Sequence, residues 1–407
     1  MSTPTPTLQP EIPFLADVEK AAAQLAPGPS WMQELREEGR VCFRQAGFPG
    51  PRDEAWRYTS LKPLRRARFS FEPGTEHGWR WDGSPPGVTL IGLSSLLAAE
   101  PGWVEARLGG VLRLDRHPFA ALNTALLGET LVVRAVRGSG TDPVHVLHLP
   151  GAGDPPPARV PRLLVVAEEG AELTLVEEYG GDGSATWTSA VTEVMVGRNA
   201  SVRHLRLQRE GEAAFHLGTT AVRVERDGRY ASHVVSLGAR LARHDLDVTL
   251  EGEGAEASLD GLYLVSGRQH TDHHTHVDHA VPHTVSRELY KGILADRSTA
   301  VFNGRVLIRP GAQKVEAVQA NNNLLLSPEA LVNTNPELEI FADDVKASHG
   351  ATIGQLDEDH LFYLRSRGIG LDMARKLLVR AFAGVMLDRL PVASLTEELG
   401  SMLEERL

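Results

Sequence analysis

The sequence predicts a mainly β fold, a solenoid flanked by an N-terminal and a C-terminal α-helical region. Three observations carry this prediction. Short β-favouring runs fill the middle of the chain, turn signals recur between them at a near-constant spacing, and helix-like apolar periodicity appears at both ends. At 407 residues the chain exceeds the usual size of one compact core, so several domains or one elongated stack are the two ways to fold it. The expected boundaries are residues 1–85 for the N-terminal helical region, 86–350 for the β core and 351–407 for the C-terminal helical region.

In the N-terminal region, Ser30 to Gln33 fits a capping box ahead of WMQELREEGRVCFRQAG, and Gly47 is placed to stop that helix. Pro49 and Pro51 then break the helical pattern, while Trp56 and Tyr58 offer large anchors for packing a helical lobe.

The middle region contains LVVRAV, VHVLHL, RLLVVA, ELTLVEEY, TEVMV, SVRHLRL and HDLDVTL, separated by Gly, Asn and Asp. Turn markers fall at Gly140, Gly170, Asn199, Gly228 and Gly254, about 26 to 30 residues apart, and again at Gly311. The longer last interval is two periods, with a marker near His283 that has no glycine. A propeller blade needs a longer repeat, so stacked coils are favoured, with a β-sandwich as the alternative.

After Gly354 the pattern is helical. LDEDHLFYLRSRG opens on acidic residues and closes on Arg365, Arg367 and Gly368, as the helix dipole and a glycine stop require. The next helix runs to Pro391 and places Met373, Leu377, Leu378, Ala381 and Phe382 on one adhesive face. Ser394 to Glu397 fits a capping box for the last helix.

Composition narrows the function. A formal charge of -11 argues against nucleic acid as a partner, because that binding needs clustered Lys and Arg. No apolar window is long enough to span a membrane, and MSTPTPTLQPEIP lacks the form of a secretory leader, so a cytoplasmic location is expected. The single cysteine, Cys42, excludes an intrachain disulfide and a thiolate-only metal or cluster site built from this chain. It is expected to be a buried, inert thiol. There is no P-loop and no GxSxG elbow.

Two clusters can carry chemistry. QHTDHHTHVDHAVPH holds His270, Asp272, His273, His274, His276, Asp278, His279 and His283. On a strand, Asp272, His274, His276 and Asp278 share one face and His273 and His279 the other. Zinc or iron ligation by this stretch would make the chain a stand-alone metalloenzyme. Structural stacking along a solenoid face is the alternative. In SHGATIGQLDEDH, His349 is expected at a tight turn after the last strand, open to a partner or metal, whereas His360 at a helix start is expected to be structural. Lys291 is expected to be a surface residue.

The stretches EAWRYTSLKPL, FAALNTALL, GLYLVSGRQHTDHHTHVDHAVPHTVSRELYKGIL, AVFNGRVLI and the long run from Gln319 to Ile369 resemble the SufB and SufD family of the SUF iron-sulfur cluster assembly scaffold. HGAT at His349 to Thr352, where the SufB-type branch reads HEAT, and the N-terminal WRYT element are similar to the SufD branch. The resemblance implies a right-handed parallel β-helix and a scaffold subunit that is not itself an enzyme. It implies pairing with a SufB homologue through the β-helix, and docking of SufC, an ABC-type ATPase, through the C-terminal helices, with the Met373 to Phe382 face as candidate. It also implies that His349 helps hold iron or a transient iron-sulfur cluster at the SufB interface, with no cofactor bound stably by the isolated chain. Many SufD proteins have a cysteine where this chain has Ala347, so no thiolate is available at that position. An unpaired β-helix face is expected to make the isolated chain a homodimer.

Overall fold

The computed structural model describes residues 12–71, 78–149, 153–181 and 183–406; most of MSTPTPTLQPEIP lies outside them. The centre is a parallel β-helix of eight coils, each contributing one strand to each of two sheets, and the sandwich alternative is set aside. One sheet stacks Leu131–Ala135, Arg162–Ala167, Trp187–Val196, Phe215–Val224, Leu241–Leu250, His270–His279, Thr299–Ile308 and Leu331–Ile340. The other stacks Pro143–His148, Glu172–Gly180, Ser201–Arg209, Arg229–Ser236, Glu256–Val265, Val285–Leu294, Glu316–Leu325 and Lys346–Gly354.

The turn markers explain the stacking. Gly170, Asn199, Asp227, Gly254 and His283 all have positive φ, which the backbone needs to pass from one sheet to the other. Each donates its N–H to a carbonyl in the next coil's turn: Gly170 to Arg198, Asn199 to Arg226, Asp227 to Glu253, Gly254 to His283, and His283 to Gln313. The marker expected near His283 is therefore His283 itself, held at φ 59° without a glycine. At Gly228 the left-handed residue is its neighbour Asp227, because Asp tolerates that region by local hydrogen bonding.

Register makes like stack on like. Val194, Val222, Val248, Val277 and Val306 are successive partners and form a buried apolar column, each valine contributing roughly 1.5–2 kcal/mol by burial. Two tyrosines fit only because glycine faces them. Tyr290 lies beside Gly261 and Tyr263 beside Gly292, and a Cβ on either glycine would enter the neighbouring ring.

The span from residue 86 is not entirely β. Helices Leu93–Ala99, Pro101–Glu105 and Pro118–Ala125 precede the first coil. FAALNTAL is mostly apolar without a period of two and is buried throughout the last of these helices, and Pro118 occupies the helix start. Together with helix Ser30–Ala46 they cover the outer face of the first sheet, where Phe43, Trp56, Phe119, Trp187 and Phe215 form one cluster. Arg162 there is buried, bonding Glu193 at 2.7 Å, Asn123 and Thr124. Trp56 anchors as expected, but Tyr58 is exposed. Neither capping box forms: the N-caps are Pro29 and Val392, with Ser30 and Ser394 already helical, since the helices begin one and two residues earlier than expected.

The C-terminal helices Leu371–Leu387 and Ala393–Glu405 cover the outer face of the other sheet. Val379, Ala383, Met386 and Leu399 pack there on Val235, Leu262 and Ile293. Lys291 is a correction: it lies within strand Val285–Leu294, is buried, and donates from Nζ to the Phe382 carbonyl at 2.9 Å, with that ring 4.4 Å away. Its parity points outward, but the helix covers it.

Candidate functional site

The two ends of the solenoid differ. At the N-terminal end, Trp79–Asp82 and Val88–Gly92 pair antiparallel with the two strands of the first coil. At the other end, Leu331–Ile340 and Lys346–Gly354 are the last strands of their sheets, each paired on one side only among the described residues. Their outer edges carry free backbone donors and acceptors, and Leu331, Ile340, Phe341 and Ile353 are exposed.

His349 belongs to this open end. It is within strand Lys346–Gly354, not at a turn after it, because the parallel ladder with Glu316–Leu325 continues through Gly354. It is exposed. Its register partner is Gln319, whose own partner is Glu288. Alternation of the pleat puts all three on the interior side of the sheet, so His349 is the outermost member of an internal column. Ala347 lies on the same side, against the apolar core, and offers no donor atom.

Beneath His349 the interior is polar. Gln319 donates from Nε2 to Glu288 Oε2 at 2.6 Å. Burial raises the Glu288 carboxyl to about 7, against the opposing hydrogen bond from Gln319. Beside it, Tyr263 donates to Asn323 at 2.5 Å, Asn323 donates to Asn321 at 2.6 Å, and Asn323 also reaches the Thr352 carbonyl of the last strand at 3.4 Å. Asn321 and Asn323 of the NNN run thus belong to an interior network, while Asn322 lies on the other face and accepts from Thr352 Oγ1 at 2.9 Å. None of Glu288, Gln319, Asn321 or Asn323 was singled out from the sequence as functional. The signal that could have found them is the period: Glu288, Gln319 and His349 are about 30 residues apart, one coil each.

The His-rich stretch is strand His270–His279, and its faces divide as alternation predicts. On the outer face, Asp272 accepts from Thr59 at 2.6 Å and from Arg243 at 2.8 Å, with His274 at 3.0 Å. Burial would raise the Asp272 pKa, but His274 and Arg243 outweigh it and hold the carboxylate well below its ordinary range. Arg243 also stacks on Trp56 at 3.8 Å, so this group pins the WRYT segment to the sheet. On the inner face, burial pulls His273 down to about 3 and His279 to about 4. His273 stacks on Tyr263, and His279 is bonded by Thr284 and Ser286. These side chains serve two faces and already have partners. Among the described residues, no three His, Cys, Asp or Glu side chains converge as a metal site.

The other candidates separate from this end. Cys42 is half-buried on helix Ser30–Ala46, and burial raises its thiol pKa. His360 is exposed on helix Glu358–Ser366, where its N–H bonds Asp357 at 3.1 Å. On the C-terminal helices, Met373 and Leu377 are exposed with Phe362, Tyr363, Leu371 and Val385, while Leu378 and Phe382 are half-buried. The face expected to be adhesive is therefore mainly the outer one. Among the described residues no helix is long and apolar enough to cross a membrane.

Comparison with known proteins matches residues 151–382 to the SufBD core domain of the SUF system of iron-sulfur cluster assembly. The chain belongs to the SufBD family. An iron-sulfur cluster assembly SufBD family protein of Synechocystis is 42% identical over 86% of this chain and 86% of its own length. The iron-sulfur cluster assembly protein SufD of Escherichia coli is 29% identical over 89% of this chain and 90% of its own. A chloroplastic Arabidopsis protein, ABCI7, is 36% identical over 67% of this chain and 59% of its own. Membership of the SufBD family puts the role of the chain in iron-sulfur cluster assembly, with SufD among its relatives.

Proposed function

We propose that this chain is a non-enzymatic scaffold subunit of a SufBCD-type complex in the cytoplasm, pairing with a SufB homologue through the open end of its β-helix. The observation that carries this reading is the asymmetry of the solenoid, covered by antiparallel strands at one end and open at the other, with His349 on the open edge. Unpaired strands with exposed apolar side chains recruit another strand edge. A second β-helix supplies two such edges at the matching spacing, and in isolation a second copy of this chain takes that place as a homodimer.

The exposed apolar residues Phe362, Tyr363, Met373 and Leu377 support docking of the SufC ATPase on the C-terminal helices. Iron or a nascent cluster is the cargo at the paired end, not a resident cofactor. His349 is the imidazole ligand offered by this chain there. Ala347 and the position of Cys42 leave the thiolates to the SufB partner. The test is co-purification of the tagged chain with SufB and SufC homologues. Recovery of a ternary complex is expected, and recovery of the chain alone would refute pairing. Within that complex, His349→Ala should lower reconstituted cluster yield with the complex intact; unchanged yield would remove His349 from the mechanism.

A further inference from the structure

A histidine that ligates a metal through one ring nitrogen works best when the other is tied to an acceptor that fixes its tautomer and orientation. The column under His349 contains such an acceptor. Gln319 is buried and is the register partner of His349 on the neighbouring parallel strand, with the two Cα atoms about 4.8 Å apart. Its amide is already oriented, because Nε2 donates to Glu288 at 2.6 Å. The amide oxygen lies across Cδ from that nitrogen, so it is not the atom that meets the Glu288 carboxyl. Among the described residues Gln319 Oε1 has no hydrogen-bond partner. A buried orphan acceptor is costly, so a donor that reaches it is favoured.

The packing confines the Gln319 amide. A Cβ at Gly304, on the opposite sheet, would collide with the Gln319 amide, so glycine there makes the space into which the side chain extends. Glu288 below is buried, and its Oε2 accepts from the amide as it is oriented.

We propose that Gln319 is the positioning residue for His349: it accepts the imidazole N–H when the ring turns inward, leaving the other ring nitrogen's lone pair directed out of the open end toward iron. Glu288 is the strut that holds the Gln319 amide in the required sense. This rests on the reading of His349 as an iron ligand, and it assigns to the buried column a task that reading leaves open.

The experiment is nitrogen-detected histidine NMR on the full-length chain with labelled His, His349 being assigned by His349→Gln. A single His349 tautomer with one ring N–H protected from exchange is expected. A fast mixture of tautomers in the unsubstituted chain overturns the proposal, whatever the variants do. Gln319→Met keeps the volume and removes the acceptor; it should give mixed tautomers and weaken Fe(II) binding at this end by about tenfold, the lower end of what such supporting contacts are worth. Glu288→Gln keeps an acceptor for the Gln319 amide and should retain the single tautomer, whereas Glu288→Leu should lose it. A single tautomer retained in Gln319→Met overturns the proposal. The two readings separate cleanly. If His349→Ala leaves Fe(II) affinity unchanged, the ligand role fails; if His349→Ala lowers it and Gln319→Met does not, only the positioning role fails.

Discussion

Glu288 provides a test of the interior by pH. Its carboxyl is enclosed in the last coils, bonded by Gln319 at 2.6 Å, and burial raises its pKa from 4.5 to about 7. The sign is that of an acid whose folded pKa exceeds its unfolded one. The folded chain then holds a proton that the unfolded chain releases, so this stabilisation is fully present below about pH 4.5 and is lost as pH rises through about 7. A displacement of about 2.5 pH units corresponds to about 3 kcal/mol, at about 1.4 kcal/mol per unit. Glu288→Gln removes the ionisation and keeps an acceptor for Gln319. Urea unfolding of both proteins, followed by tryptophan fluorescence at pH 5, 6, 7 and 8, isolates the Glu288 contribution as a difference, with the buried histidines cancelling. The variant's lead over the parent should grow from about 1 kcal/mol at pH 5 to about 3 kcal/mol at pH 8. A difference that does not change with pH would refute the argument that the carboxyl is buried without a compensating charge.

Other perturbations address other parts of the fold. Gly261→Ala and Gly292→Ala each drive a methyl into a buried tyrosine ring and should cost about 1–3 kcal/mol, read as a lowered thermal midpoint. Arg162→Leu strands the Glu193 carboxylate under the N-terminal helices and should cost about 3–5 kcal/mol, checked by denaturant unfolding. His283→Gly relieves a left-handed backbone at φ 59° and should add up to about 1 kcal/mol, whereas Asn199→Val at φ 56° should lose at least as much. Met373→Asp with Leu377→Asp should leave the thermal midpoint of the chain unchanged and weaken capture of the SufC ATPase, measured by pull-down.

The fold was legible where the repeat is local. A turn marker every coil announces the solenoid, because a positive φ can be read from Gly, Asn or Asp, and alternation along His270–His279 assigns its faces correctly. Legibility failed where an element is defined by what covers it. Lys291 looks like a surface residue because its parity points outward, and only the docked C-terminal helix buries it. FAALNTAL inside the β span is helical because neighbouring helices and the sheet bury all its sides. The capping boxes failed for a smaller reason, a shift of one or two residues in where the chain enters the helix.

The sequence by itself determined the class of fold, the period of its coils, the presence of one cysteine and the prominence of His349. Tertiary structure alone decided that His349 sits on an open strand edge rather than a turn, and that Gln319 and Glu288 stand beneath it. It also decided that the conspicuous histidine cluster is divided between a clamp and a core. The physical reason is that a solenoid brings together residues one coil apart in sequence. Side-chain chemistry is written locally, but which groups become neighbours, and which end of the stack stays unpaired, is set by register and by where the coils stop.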